Sequence, residues 1–373
     1  MSDITLERPV PAAAAPVLVP SSAPDLPRKL GGLRVDDMAS MLGSLAGSFG
    51  LVWIVYSNLL AWNGKVGFVA CWWAAFLVLY AGVSAIDNPG PIVRDRLMQA
   101  VVSSGALVIA GALGWTLEYV IATGYPALTH LNFFTDDLGG VDPLAPLNKG
   151  GIAHLIVGTA IEVAIATVIS LPLGVATAIY LTEVGGRLAV VVRTVVEAMT
   201  ALPDILAGLF VYVALIIYGG FGKTGMAVSL ALSVTMIPVI ARSSEVTLRV
   251  VPGTLREASL ALGATKLRTA LNVVLPTARA GLTTSLILGI ARIAGETAPL
   301  LIVSGASTFM NRNPFSGPMN SSPLFIFQTV KAHGLDGSVA VTRAFGAALV
   351  LLIFVIVLFL LARFLGRDKS GRR

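Results

Sequence analysis

Long apolar runs alternate with short polar segments along almost the whole chain. The runs fall at about 41–62, 66–86, 98–122, 151–181, 189–218, 225–247, 280–304 and 342–365. The first three are each close to the ~20 residues a helix needs to cross a hydrocarbon layer. The pattern predicts an all-α polytopic membrane protein with about eight transmembrane helices. Asn63-Gly64-Lys65 predicts a tight turn between the first two spans. Segment 123–150 carries Asp136, Asp137 and Asp142 against Lys149 and predicts an external loop. A second loop is expected at 305–341, rich in Pro, Asn and Ser, with an apolar patch at Phe325-Ile326-Phe327. Residues 1–40 are rich in Pro, Ala and Ser and lack the apolar core of a secretory signal. They predict a disordered tail.

Composition agrees. Of 373 residues, 55% are hydrophobic and 12% charged, and mean hydropathy is +0.84. A soluble chain carries about a quarter charged residues. The net charge of +6 raises nucleic acid as a partner. The basic residues fall between apolar spans, however, which membrane orientation explains better. Arg28, Lys29 and Arg34 precede the first span. Arg94 and Arg96 follow the second, Arg187 the fourth, and Arg249, Arg256, Lys266, Arg268 and Arg279 the sixth. Arg363, Arg367, Lys369, Arg372 and Arg373 follow the last. The alternate loops hold Lys65, Lys149, Lys223, and then Arg312, Lys331 and Arg343 in the longest. The positive-inside rule therefore places both termini and loop 248–279 in the cytoplasm. Trp53, Trp62, Trp72 and Trp73 read as interface anchors. The single Cys71 can form neither an internal disulfide nor a multi-cysteine metal site, and reads as packing.

The polar island at 248–279 predicts two short helices with a glycine joint. Thr254 is placed to cap the first, with Glu257 completing a capping box. Gly263 suits the left-handed residue that ends it. Thr265 is placed to cap the second, and Pro276 to limit it. Such a hairpin offers a small-residue ridge for a groove on another protein.

Glu257-Ala258-Ser259, three residues, Gly263, nine residues, Val273, one residue and Leu275-Pro276 resembles the EAA loop of ABC-importer permeases. Ser259 stands for the second Ala and Val273 for Ile. The resemblance implies that Glu257, Ala258, Ser259, Gly263, Leu275 and Pro276 form a coupling element seated on a cytoplasmic ATPase.

Charged residues inside spans are costly and carry a default functional suspicion. Arg292 and Glu296 lie four apart, on one helical face, where Gly295 and Pro299 weaken the helix. Spacing alone fits a structural ion pair as well as a substrate contact. The surrounding run Ala291 to Leu301 resembles the ARAxGETAPLL signature of PstA-type permeases of phosphate importers. Residues 242–257, 174–183, 208–210 and 318–327 agree with the same family, so the resemblance covers about 95–366. It implies a six-helix type I ABC-importer permease core. It also implies that Arg242 and Arg292 line a phosphate path, with Glu296 as the acid paired to Arg292. Guanidinium suits this, because it matches oxyanions with several donors.

The division that follows is a tail at 1–40, an added helix pair at 41–90, a permease domain at 91–366 and a basic tail at 367–373. Three features depart from the family. Asp204 follows Pro203 where Ser is usual, and Glu162 stands at an apolar position. Both are expected at helix contacts or a subunit interface. Arg193 and Glu197 form a further i, i+4 pair, while Glu245, three after Arg242, reads as a surface pair.

Gly222-Lys223-Thr224 ends like a phosphate-binding loop, but Ile217 stands where that loop needs Gly. His130, His154 and His333 lack metal-ligand spacing. No catalytic, metal or cofactor site is expected on this chain. The resemblance implies ATP-Mg on a partner ATPase dimer (PstB-like), a second permease subunit (PstC-like) and an external phosphate-binding protein (PstS-like). The implied location is a bacterial inner membrane. Rival readings are a permease for another oxyanion, such as sulfate or molybdate, and a non-transporting phosphate-sensing scaffold.

Overall fold

The computed structural model describes residues 35–59 and 64–366. Residues 1–34 and 367–373 of the expected tails, Trp62 and Asn63 of the first turn, and the arginines and lysines at 28, 29, 34, 367, 369, 372 and 373 lie outside the described residues, whereas 35–40, expected in the disordered tail, are already helical. The secondary structure described is helical throughout, and the chain divides into two compact units, Met1–Gly111 and Ala112–Arg373.

The first unit holds α1 (Val35–Trp53), which continues as a π-helical turn at Ile54–Leu59, α2 (Lys65–Asp87) and the start of α3 (Gly90–Leu128). Arg96 on α3 pairs with Asp37 on α1 and donates to Ser84 Oγ on α2. The tryptophans do more than anchor. Phe49 meets Trp72 and Phe68 edge-on, and Trp72 Nε1 donates to the Leu45 carbonyl at 3.1 Å. Trp73 Nε1 reaches Ser104 Oγ. Cys71 is exposed rather than packed inside.

The second unit is built around α8 (Gly225–Val250), whose apolar window is 67% buried. Thr224 caps it by accepting from the Ala227 N–H. Glycines let its neighbours approach. Ile240 sits between Gly174 of α5 (Ala153–Ile179) and Gly289 of α11 (Leu275–Ala294). A Cβ would come within 2.7 Å of Ile240 from Gly174, and 3.0 Å from Gly289. Around this contact Val163, Val228, Leu232, Met236 and Ile293 form the main core.

Among the described residues, seven helices are long and apolar enough to cross a membrane, and a bent pair passes the same test. The bent pair corrects the straight span expected at 189–218. α6 (Arg187–Ala201) and α7 (Asp204–Val211, continuing to Ile217) meet at 103°. Pro203 has no N–H to donate and pushes Leu202 to extended backbone (ψ 132°). The seventh span also differs. Helix runs from Lys266 to Ala294 without a stop at Pro276. A π-helical turn at Ala270–Val274 shifts the bonding register, so Pro276 falls in the first turn of α11, where a missing N–H is harmless.

The two long segments expected as loops are more structured than expected. α4 (Asn132–Thr135) follows α3, and the 147–150 stretch folds onto it through Asn132 Nδ2, which donates to the Leu147 and Gly150 carbonyls. The apolar patch at 325–327 belongs to a helix, α13 (Ser322–His333), not to a loop. Arg343, expected as a loop residue, is buried in α14 (Val339–Gly366). It donates to the carbonyls of Pro143, Ala145, Pro146 and Lys149, tying down the 143–149 stretch.

Candidate functional site

The hairpin expected from the EAA-like spacing is present. α9 (Gly253–Ala261) and α10 (Lys266–Thr269) are joined through Gly263, whose φ of +83° is the left-handed conformation expected there. Thr265 caps α10 by accepting from the Arg268 N–H. Ser259 and Thr269 share a hydroxyl hydrogen bond at 2.9 Å, which holds the two arms together. The expected capping box at Thr254 and Glu257 does not form. α9 begins at Gly253 directly after Pro252, so Thr254 already lies inside the first turn. That leaves the Glu257 side chain exposed, as are Ala258, Gly263 and Pro276, with Ser259 and Leu275 partly covered. Leu262 is 90% exposed and Leu267 63%. The outer face is thus apolar at its tip, ringed by Lys266 and Arg268.

Sequence reading missed what fastens this hairpin. Arg256 Nε and Nη2 donate to the Glu183 carboxylate at 3.0–3.2 Å. The same guanidinium reaches the carbonyls of Val251 at 2.6 Å and Leu248 at 2.7 Å. Glu183 closes the end of α5. No local pattern signals a pair 73 residues apart in the chain.

The second site lies where α11 ends. The helix stops at Gly295 and resumes as α12 (Leu300–Val303) after Pro299. α7 packs directly on this break, because Gly208 meets the Pro299 backbone where a Cβ would intrude at 2.7 Å. That contact carries Asp204, the first residue of α7, to Arg292. Arg292 Nη2 donates to Asp204 at 3.1 and 3.3 Å, and lies 3.6 Å from Glu296 Oε1. The expected Arg292–Glu296 pair is present, but Asp204 is the nearer acid. Asp204 is therefore at a helix contact within this chain. Arg292 remains 46% exposed.

Arg242 belongs to a different cluster, built between α6 and α8. Glu245 is its centre and corrects the surface pair expected there, since only 4% of its side chain is exposed. It lies 2.7 Å from Arg193, 2.6 Å from Arg249 and 3.7 Å from Arg242. The expected Arg193–Glu197 pair gives way to cross-helix pairing, with Glu197 3.7 Å from Arg242. Arg242 and Arg292 thus pair with different acids. Arg242 is 54% exposed and only loosely held.

Glu162 is buried in α5, and its Oε1 has no partner among the described residues. One turn earlier, Thr159 accepts from the Ser322 N–H at 2.9 Å, and Gly158 lies against the Asn320 carbonyl. Glu162 thus faces inward on the helix surface that packs against the start of α13.

The family model described as binding-protein-dependent transport system inner membrane component matches residues 170–371. The phosphate transport system permease protein PstA 1 of Mycobacterium tuberculosis (strain CDC 1551 / Oshkosh) is 38% identical over 303 residues, 78% of this chain and 98% of its own. The chain belongs to the PstA family. Its PstA relative from Mycobacterium leprae is 39% identical over 70% of this chain and 86% of its own. The one from Pasteurella multocida is 34% identical over 69% and 89%. Among solved structures, a chain of the MetNI methionine ABC transporter in inward-facing form aligns over 58% of this chain and 93% of its own, at 24% identity and a TM-score of 0.45. As a PstA-family permease, the chain is a multi-pass inner-membrane component of the type I ABC-importer class and a transport subunit rather than an enzyme.

Proposed function

We propose that this chain is the transmembrane permease subunit of an ATP-driven phosphate importer. The reading is carried by the near-complete match to PstA relatives, of which the M. tuberculosis one is 98% covered. The exposed hairpin α9–α10 suits the docking of a cytoplasmic ATPase dimer, PstB-like, which holds ATP-Mg. This chain contributes no cofactor. Closure of the dimer reaches α5 and α8 through Arg256. A PstC-like second permease completes the path, and a PstS-like protein delivers phosphate from outside. Both termini and the hairpin face the cytoplasm, on the side of the arginine-rich segments.

Within the path, Arg292 and Arg242 are the cations that meet phosphate. Each is about half exposed and held by acids that leave part of its guanidinium open. Fixed cations are needed because an unpaired anion is costly in a low-dielectric interior. Paired acids keep binding weak enough for release. Reconstitution with candidate partner subunits and binding protein in vesicles tests the reading. ATP-dependent phosphate uptake is expected. Uptake of sulfate or molybdate in its place, or ATP hydrolysis with no anion movement, would overturn it.

A further inference from the structure

Arg292 touches both of its acids through one nitrogen. Nη2 makes the contacts to Asp204 Oδ1, Asp204 Oδ2 and Glu296 Oε1. Its Nε and Nη1 donate to no protein acceptor among the described residues. The guanidinium is therefore oriented by carboxylates yet keeps most of its five N–H donors open. The acids themselves are fixed. Asp204 opens α7 directly after Pro203, and Gly208, one turn on, is wedged against Pro299. Glu296 stands in the break between Gly295 and Pro299, with 16% of its side chain exposed.

An oxyanion seated on Nε or Nη1 of so small a group lies next to both carboxylates. An ionised carboxylate only accepts hydrogen bonds. An oxyanion without a proton, such as sulfate, has nothing to donate and meets like charge there. Phosphate and arsenate retain a proton at neutral pH, and their P–OH or As–OH donates to a carboxylate instead. The same neighbour is thus an attraction for one class and a repulsion for the other. Discrimination built on an added repulsive element is a general route to specificity.

We infer that Asp204 is a specificity-determining residue, which beside Arg292 favours oxyanions that still carry a proton over those that do not. The inference rests on the reading of Arg292 as a path residue. It concerns a position where the family resemblance leads one to expect Ser, so it describes a selectivity added in this chain to whatever Glu296 supplies.

The test is equilibrium binding of radiolabelled phosphate to the assembled importer complex without its binding protein. Sulfate and arsenate serve as competitors. In the unmodified complex arsenate should compete well and sulfate poorly. Asp204→Ser, and separately Asp204→Asn, should make sulfate compete about tenfold better relative to phosphate, with arsenate unchanged. An unchanged sulfate-to-phosphate ratio in the assembled variants would overturn the inference. If neither variant assembles, each is combined with Glu296→Gln and compared with Glu296→Gln alone: a sulfate-to-phosphate ratio that rises with the Asp204 change supports the inference, and an unchanged ratio, or sulfate competing as strongly as arsenate in the unmodified complex, overturns it. Unaltered phosphate binding by Arg292→Gln is a different result, which removes Arg292 from the path and leaves the ratio in the Asp204 variants to be explained elsewhere.

Discussion

Arg256 and Glu183 are bonded through both carboxylate oxygens, at 3.0–3.2 Å, and join the hairpin α9–α10 to the end of α5. Since Arg256 also holds the last carbonyls of the α8 segment at Leu248 and Val251, one side chain links three elements. If the hairpin docks an ATPase as proposed, a force on α9 reaches α5 and α8 through this side chain as well as through the joint at Gly263.

Arg256→Ala should leave Glu183, only 8% exposed, without its cation, at a cost of about 3 kcal/mol. Thermal unfolding of the complex in detergent should report the loss. Adding Glu183→Gln should recover stability but not ATP-driven uptake, because the mechanical link stays broken. Full uptake by an assembled Arg256→Ala complex would remove Arg256 from the coupling route.

Gly263→Val places a β-branched residue at φ +83°, where no neighbour crowds it but the backbone is strained by roughly 1–2 kcal/mol. The spans should remain folded while α9 and α10 lose their alignment and uptake falls. Normal uptake with a stably assembled variant would sink the docking role of the hairpin.

Glu245 is the shared acid of three arginines from α6 and α8. Glu245→Gln should leave them facing one another without a carboxylate to accept from Arg193 and Arg249, and cost about 1.5–3 kcal/mol, seen as a lower Tm. Glu197→Gln touches only the half-exposed Arg242 and should cost under about 1 kcal/mol. Equal effects of the two changes would contradict the assignment of Glu245 as the centre.

Neutralising Arg292 and Glu296 together should not restore folding, because Asp204 is left without its cation. The triple variant Arg292→Gln, Glu296→Gln, Asp204→Asn should assemble and bind its ATPase. If Arg292 meets phosphate, that complex still fails to transport. Near-normal phosphate uptake by the assembled triple variant would falsify the path role and leave the cluster as a packing device.

The local features of this protein are written in its sequence. Hydropathy runs and their lengths mark the spans. Gly263 and Thr265 mark the joint and the cap of the hairpin, since turn and cap chemistry depend on residues within one turn of each other. The spacing of Arg292 and Glu296 likewise brings them within reach of each other, although Glu296 lies just past the end of α11 rather than on its face. What the sequence does not determine is which charge meets which across helices. Asp204 and Arg292 lie 88 residues apart, and they meet because Gly208 lets α7 dock on the break at Pro299. Arg193 prefers Glu245 on α8 to Glu197 on its own helix for the same kind of reason: burial between two helices rewards the partner already inside. The burial of Arg343 against the 143–149 carbonyls also follows from packing. Helical periodicity fixes how residues are arranged around one axis, whereas the rotation and register between axes come only from the contacts made when the helices assemble.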